Sequence, residues 1–178
     1  EVIVKLKRPN IYNIMKNDTD NIRQIVEFLE KIGVDTGTNT GYVLDESIDF
    51  LLAESDYEKE IENAKKFRKR MKKVKWMKVP KIYTDISSQN MIVMEYVPSE
   101  KLDNISDSRV NKKKVCEALL NSYVIQTMDK GFFHADPHPG NLGFSGDGKL
   151  VFYDFGLVID ICDEMKDGFK EMFLHIIN

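Results

Sequence analysis

The stretch FFHADPHPGN at residues 132–141 raises the question on which the fold and the function of this chain depend. His134, Asp136 and His138 alternate there, and these side chains are of the types that bind zinc. Alternate residues converge on one metal only along an extended strand, and the two prolines of the stretch would interrupt the strand's hydrogen-bond ladder. The remaining histidine, His175, lies near the C-terminus. A metal-dependent hydrolase therefore stays open as an alternative, but it is not the favoured interpretation.

The residues that follow the loop favour another chemistry. Asn141 comes five positions after Asp136, and Asp154 comes thirteen positions later in the tetrapeptide Tyr-Asp-Phe-Gly. The order H-x-D-x-x-x-x-N, hairpin, D-F-G matches the catalytic loop and metal motif of protein kinases. Carboxylate and amide oxygens suit Mg²⁺, so we predict Asn141 and Asp154 as magnesium ligands. Asp136 would face the acceptor hydroxyl or water, and His134 would be structural.

Two N-terminal features agree with a kinase. Lys5 follows a β-branched strand, as the phosphate-contacting lysine of a kinase does. The stretch MIVMEYVP at residues 91–98 resembles the strand that leads into a kinase hinge. We predict that Met94 lies at the back of the nucleotide pocket and that the backbone of Glu95 and Val97 meets adenine.

Together these motifs resemble the UbiB-like (aarF-domain-containing) atypical protein kinase family, and the resemblance runs from residue 2 to about residue 158. It is carried by VIVKLKRP, ESDYEKEIEN, VPKIYTD, MEYVP, GFFHADPHPGN and VFYDFG. The resemblance implies an α+β, protein-kinase-like fold, with a small lobe of antiparallel sheet and a long helix, and a partial helical C-lobe. It also implies ATP and Mg²⁺ as cofactors and a link to ubiquinone or other isoprenoid lipids in bacteria, mitochondria or plastids.

The resemblance also assigns roles to acidic residues. Lys5 would contact the α- and β-phosphates, and Glu60 would be its partner on a helix. Lys5, Glu60 and Asp136 would be the catalytic residues. Glu54 and Asp56 would form the family's E-x-D element in nucleotide binding, and either Glu54 or Glu60 could pair with Lys5. The implied function is Mg-ATP-dependent phosphoryl transfer or ATP hydrolysis. A catalytically inactive pseudokinase that binds nucleotide or a partner is a further alternative.

The resemblance also implies how the chain is organised. Residues 1–97 would form the N-lobe-like part and residues 98–178 the partial C-lobe with the catalytic loop and D-F-G. Apolar spacing predicts helices within the first part at 19–32 and 43–74, the latter in two pieces that meet near residues 54–57. The pattern also predicts a strand at residues 2–7, strands in KIYTDI and NMIVMEYV, a helix at 111–130, a hairpin through NLGF and KLVFYDF, and a last helix from Asp163.

Composition limits the partners. A net charge of −3 over 178 residues argues against nucleic acid as the main partner. The basic run at residues 65–78 fits a solvated helix end better than a membrane-lipid patch, because cations suit a helix C-terminus. Nucleotide, lipid or quinone-pathway proteins and a membrane surface remain the expected partners. The family's nucleotide loop would precede Lys5 and no A-P-E follows Asp154, so we expect either part of a longer protein or a reduced domain.

Overall fold

The computed structural model describes residues 1–34, 40–53, 55–107 and 111–177, and it shows the expected α+β architecture. The strands are β1 Val2–Leu6, β2 Met77–Lys78, β3 Met91–Glu95, β4 Ser99–Lys101, β5 Phe132–His134, β6 Leu142–Ser145, β7 Leu150–Phe152 and β8 Val158–Asp160. The α-helices are α1 Ile11–Lys31, α2 Thr40–Ala53, α3 Tyr57–Met71, α4 Lys112–Val124 and α5 Asp163–Ile177. Short 3₁₀ helices lie at Thr84–Ile86, Leu102–Asp107 and Pro139–Asn141, and a π-helix, Ile125–Lys130, continues α4.

The strands form three small sheets in the described part of the chain. Strands β1 and β3 pair antiparallel, with Lys5 opposite Ile92. A four-stranded sheet has the order β2-β7-β6-β4, in which only β2 and β7 are parallel. Strands β5 and β8 form an antiparallel pair. The stretch between β5 and β6 is the HADPHPGN loop, so its position is set by two different sheets.

Helix α3 supplies the centre of the core. Its Ala64, Phe67 and Met71 are buried and follow the three- and four-residue steps of one helix face. The fully buried ring of Phe67 packs against three other phenylalanines, with centroid distances of 6.1, 5.3 and 5.4 Å to Phe132, Phe152 and Phe155. This cluster joins residues from both sides of position 97, so it links the two parts. The boundary at residue 97 stays a prediction.

The helix boundaries differ from the predicted ones. Helix α1 begins at Ile11 rather than at residue 19, with Asn10 as its N-cap residue, so Asp18 and Asp20 lie inside the helix. Between them, Thr19 is buried and donates its hydroxyl to Lys16 O. The pattern at 43–74 resolves into α2 and α3, as two pieces, and α3 ends at Met71.

The predicted strand in KIYTDI is wrong. Ile82 makes a single bridge to Met94, and Tyr83 N donates to Val93 O at 2.8 Å. The chain then turns into the 3₁₀ helix Thr84–Ile86 because the Ser87 hydroxyl bonds back to Tyr83 O. The hairpin of β6 and β7 and the helix that begins at Asp163 are confirmed.

The helix predicted at residues 111–130 is present, as an α-helix that continues into a π-helix. Asn111 caps α4 by accepting from the N–H groups of Lys113 and Lys114, and the last six residues wind as the π-helix. Gly131 ends it in the left-handed conformation, at φ 56°. Within the described ranges, no helix combines the length and the apolar character that a membrane crossing requires.

Candidate active site

Lys5 lies at the centre of the site and contacts two carboxylates. Its Nζ is 2.9 Å from both Glu60 oxygens and 2.8 Å from Asp154 Oδ2. Burial acts to lower the Lys5 pKa, but the charges of Glu60 and Asp154 outweigh it and the pKa is raised. The lysine is therefore cationic at neutral pH and joins β1, α3 and the D-F-G turn.

Glu60 is the helix acid that pairs with Lys5, beside Asp154 of the D-F-G turn. It is only 2% exposed, and its Oε1 also accepts from Phe155 N at 3.5 Å. Burial, and then the neighbouring charge of Asp154, raise the Glu60 pKa although Lys5 acts against them. The other candidate, Glu54, lies outside the described residues.

The D-F-G turn is held by hydrogen bonds on several sides. Asp154 Oδ1 accepts from Gly156 N at 2.9 Å, and Asn63 of α3 donates from Nδ2 to Phe155 O at 2.9 Å. Burial acts to raise the Asp154 pKa, but the charge and hydrogen bond of Lys5 outweigh it, so the pKa is lowered. His134 is buried, and its Nε2 lies 2.7 Å from Asp154 O, as expected for a structural histidine.

The catalytic-loop residues face the same turn. Asn141 Nδ2 donates to Asp136 Oδ2 at 2.7 Å, and Asn141 O accepts from Tyr153 N at 3.0 Å. Gly140 N donates to His138 Nδ1 at 3.1 Å, which closes the 3₁₀ turn Pro139–Asn141. The loop and the D-F-G turn therefore place Asp136, Asn141 and Asp154 around one space.

The histidines of the loop do not assemble a metal site with Asp136. Among the residues that the structure describes, no group of three His, Cys, Asp or Glu side chains could hold a metal ion. The His134 Nε2 contacts the Asp154 carbonyl and the His138 Nδ1 contacts Gly140 N. The geometry thus gives no support to the hydrolase alternative.

Two cavities meet at Lys5, Asn141 and Asp154. The first, which we call the apolar cavity, has a volume of about 480 Å³. Met94 and Val97 are buried and line it, and Tyr153 donates its hydroxyl to Val97 O at 3.0 Å. The cavity's other lining residues are Ile3, Val4, Tyr96, Ser99, Lys101 and Gly140.

The second cavity, of about 320 Å³, lies on the side of Asp136, and we call it the front cavity. It shares Lys5, Asn141 and Asp154 with the apolar cavity. Its remaining lining residues combine cations with apolar groups and two hydroxyls: Lys7, Arg8, Ile11, Met15, Ser55 and Tyr57. Asp136 borders only this second cavity of the two, so the two spaces differ in the chemistry that they offer.

Two predicted nucleotide-binding residues have other contacts. Asp56 is the N-cap of α3, where its Oδ1 accepts from Glu58 N and Lys59 N, and it lines neither cavity. Glu95 also lines neither, and its N–H is donated to Lys81 O at 2.8 Å. The placement of the Asp56 side chain gives no support to its predicted cofactor-binding role. The Glu95 prediction concerned its backbone and stays a prediction.

The sequence reasoning missed several residues of the site. Lys7 and Arg8 were not assigned a role, although Lys7 is two positions from Lys5 and thus on the same face of an extended segment. Asn63 and Tyr153 were missed because a single polar residue in a helix or strand carries no signal of its distant partner. Gln126 is buried in the π-helix and accepts from His134 N at 2.9 Å, and no sequence motif indicated this contact either.

Comparison with known families now adds a decisive observation. The model of the ABC1 atypical kinase-like domain matches residues 1–178. The chain belongs to the ABC1 atypical kinase-like family. This confirms the resemblance to aarF-domain-containing kinases that the motifs indicated.

Curated members of the ABC1 family include plant proteins. "Activity of BC1 complex kinase 8, chloroplastic" of Arabidopsis thaliana is 35% identical over 181 residues, which cover 97% of this chain and 24% of the relative. An uncharacterized chloroplastic aarF domain-containing protein kinase of the same plant is 37% identical over 177 residues, covering 99% and 25%. The chain thus spans about a quarter of the length of these relatives.

A solved structure shows the same fold. Rv3197 of Mycobacterium tuberculosis, solved in complex with erythromycin, superposes with a TM-score of 0.69 at 23% sequence identity. The superposition covers 93% of this chain and 41% of that protein. The protein-kinase-like fold that the ABC1 family implies is therefore confirmed.

Proposed function

We propose that this chain binds Mg-ATP and catalyses phosphoryl transfer from it, to an acceptor hydroxyl or to water. The observation that carries the proposal is the position of Lys5, whose Nζ joins Glu60 and Asp154 where the two cavities meet. A lysine paired with a helix glutamate beside a D-F-G aspartate is the arrangement that kinases require for phosphate binding.

The apolar cavity suits the base of the nucleotide. Met94 and Val97 give it buried apolar walls, and small-molecule sites combine such walls with a few polar groups. Lys5 borders the polar end, so a base in the apolar cavity would direct its phosphates toward the ammonium group. The adenine contacts of Met94 and Val97 belong to this proposal.

The residues at the polar end also suit magnesium. Asn141 and Asp154 border both cavities and offer an amide oxygen and a carboxylate, which are hard donors that Mg²⁺ prefers. The lowered pKa of Asp154 keeps this carboxylate charged at neutral pH. When bound, the ion would neutralise charge on the phosphate oxygens.

Asp136 would act on the acceptor. Its carboxylate is oriented by Asn141 Nδ2 and borders the front cavity. In transfer, the acceptor oxygen forms a bond to the γ-phosphorus and the bond from the bridging oxygen to that phosphorus breaks. ADP leaves with the electron pair, and the acceptor proton passes to the Asp136 carboxylate. The same steps with water as acceptor give ATP hydrolysis.

The inactive pseudokinase alternative predicts that a catalytic group is missing or displaced. Lys5, Asp136, Asn141 and Asp154 are all present and surround one space, which favours an enzyme. Relatives that are named as kinases also support an enzyme, and we propose the same activity for this chain.

The decisive experiment is thermal unfolding with ATP, with and without Mg²⁺, beside the Asp154→Asn variant. A ligand at about 100 times its Kd stabilises a fold by roughly 2.7 kcal/mol, a clear rise in Tm. We expect a magnesium-dependent rise that the variant lacks, together with release of ADP by the native chain only. Binding without ADP release under any condition would favour the pseudokinase, and no rise at all would reject the nucleotide site.

We further propose that the protein supports isoprenoid-quinone or lipid metabolism at a membrane surface, with a plastid as one location. Family membership and the chloroplastic relatives support this proposal. The surface that anionic lipid would meet is a groove of about 590 Å³ along α3, whose lining includes Lys65, Arg68, Lys69, Lys72, Lys78 and Lys81 beside apolar residues. A solvated helix end is the other interpretation of these cations. Sedimentation with anionic against neutral vesicles tests the surface, and quinone content in cells that carry only Asp154→Asn tests the pathway.

A further inference from the structure

The front cavity holds two cations that the nucleotide site as described does not use. Lys5 is already engaged by Glu60 and Asp154, whereas Lys7 and Arg8 form no ion pair with any residue in the described ranges. The Lys7 Nζ lies 5.0 Å from the centroid of the Tyr57 ring, and Arg8 is exposed. Two unpaired cations beside one cavity favour an anionic ligand.

The wall next to these cations is apolar. Ile11 and Met15 are one helical turn apart at the start of α1, half-buried, and both line the front cavity. The first turn of α1 contains no acidic residue, so the positive end of this 21-residue helix adds to the field of Lys7 and Arg8. The cavity therefore has an anion-binding part and an apolar part side by side.

The position of Asp136 indicates which substrate occupies this space. Asp136 borders the front cavity and not the apolar cavity, whose walls suit the nucleotide base. An acceptor must present its hydroxyl to Asp136, so it must enter from the front cavity. Lys7, Arg8, Ile11 and Met15 would then contact the acceptor.

We propose that the front cavity is the acceptor subsite and that the acceptor is an anionic amphiphile. Its anionic group binds Lys7 and Arg8, its apolar part lies against Ile11 and Met15, and its hydroxyl faces Asp136. This inference rests on the proposed phosphoryl transfer, because it is Asp136 that makes the front cavity the acceptor side.

The test measures binding of decyl phosphate, below its critical micelle concentration, to the full-length protein by titration calorimetry with saturating Mg-ADP. Inorganic phosphate supplies the anion without a chain, and decyl glucoside supplies the chain without the anion. We expect decyl phosphate to bind more tightly than either. The double variant Lys7→Ala/Arg8→Ala should weaken it at least about tenfold, since two charged contacts are lost.

Matched controls separate the subsite from general charge effects. Lys112 and Lys114 are exposed at the start of α4, and Lys112→Ala/Lys114→Ala should leave decyl phosphate binding unchanged. Butyl phosphate, which has a shorter chain, should bind more weakly than decyl phosphate to the native protein. Met15→Ser should remove most of this difference, because it removes part of the apolar wall. Equal binding to native protein and to the Lys7/Arg8 variant, or equal binding of decyl glucoside, would overturn the proposal.

Mg-ATP affinity shows whether Lys7 and Arg8 bind the acceptor's anionic group or the phosphates of the nucleotide. If Lys7 and Arg8 serve the acceptor, their double variant should bind Mg-ATP within about twofold of the native affinity. A large loss of Mg-ATP affinity would instead assign these cations to the nucleotide and overturn the acceptor subsite. If the native protein binds no nucleotide, the proposed function and the acceptor role are both rejected. If it binds nucleotide but binds decyl phosphate no more tightly than inorganic phosphate or decyl glucoside, only the acceptor subsite is rejected.

Discussion

Lys5 and Asp154 lie 149 positions apart in the sequence, yet the Lys5 ammonium is 2.8 Å from Asp154 Oδ2. The same nitrogen is 2.9 Å from both oxygens of Glu60, which is almost fully buried. One cation therefore compensates two carboxylates that reach it from a helix and from a turn. The stability of the fold and the proposed chemistry of the site therefore both depend on these three charged groups.

Removal of Lys5 should destabilise the fold as well as abolish turnover. Lys5→Met would leave Glu60 as a buried carboxylate without its cation, and we expect the free energy of unfolding to fall by about 1–3 kcal/mol, less than for a fully buried pair because Lys5 is one-third exposed. Adding Glu60→Gln removes the uncompensated charge. The double variant should therefore be more stable than Lys5→Met alone in urea unfolding. Strictly additive losses would show that the two side chains do not interact.

Asp136→Asn should separate chemistry from binding. Asparagine can still accept from Asn141 Nδ2 but cannot take a proton, so we expect kcat to fall by about 10²–10⁴-fold. The rise in Tm with Mg-ATP should persist. Asp154→Asn is the contrasting variant, since it should lose the magnesium-dependent rise itself. Equal loss of nucleotide binding in both variants would contradict the separate roles.

The sequence was sufficient to predict that Asp136, Asn141 and Asp154 lie together, because they fall in motifs of fixed spacing. Asp136, Asn141 and Asp154 belong to one loop–hairpin–turn unit, in which local geometry holds them together. The pairing of Lys5 with Glu60 could not be chosen over Glu54 from sequence, because it depends on how α3 packs. The position of Glu60 on the buried face of α3 brings it to the lysine.

The errors arose where tertiary contacts outweigh local pattern. KIYTDI has the composition of a strand, but hydrogen bonds from Ser87 turn it into a 3₁₀ helix after one bridge. The helix predicted from residue 19 begins eight residues earlier, at Ile11. Strands β4, β5 and β8 were not predicted, since three-residue strands have too few positions to show alternation.

Asn63 offers a test of the link between α3 and the D-F-G turn. Its Nδ2 donates to Phe155 O at 2.9 Å within the core, so Asn63→Ala would leave a buried carbonyl without this donor. We expect the free energy of unfolding to fall by about 1–3 kcal/mol. Asn13, whose amide makes an exposed contact to Asn10, is the matched control, and Asn13→Ala should change stability by less than about 0.5 kcal/mol. Similar losses in both variants would contradict the proposed link.

Gly131 should not tolerate a side chain. It has φ 56°, and an added Cβ would lie 3.0 Å from Ile161 O and 2.9 Å from Lys166 Cδ. Gly131→Ala should therefore lower the free energy of unfolding by at least about 1 kcal/mol, since it combines left-handed strain with a backbone contact. Gly146→Ala is the control, because a Cβ there meets nothing within 4 Å. Equal midpoints in urea unfolding for the two variants would contradict the strain.

His134 should make stability depend on pH. Burial lowers its pKa, despite the hydrogen bond to Asp154 O, and its Nδ1 has no partner in the described part of the chain. The unfolded chain takes up a proton near the ordinary histidine pKa of about 6.5, whereas the folded chain resists it until lower pH. Stability is therefore lost as the pH falls below about 6.5, by up to about 1.4 kcal/mol per pH unit from this residue.

The check is urea unfolding of the native protein and of His134→Gln at pH 7.5 and pH 5.5. Glutamine can still donate to the Asp154 carbonyl but does not titrate, so the variant should lose less stability than the native protein between the two pH values. His175, exposed on α5, supplies the control, and His175→Gln should follow the native protein. The same pH dependence in native protein and His134→Gln would show that another group is responsible.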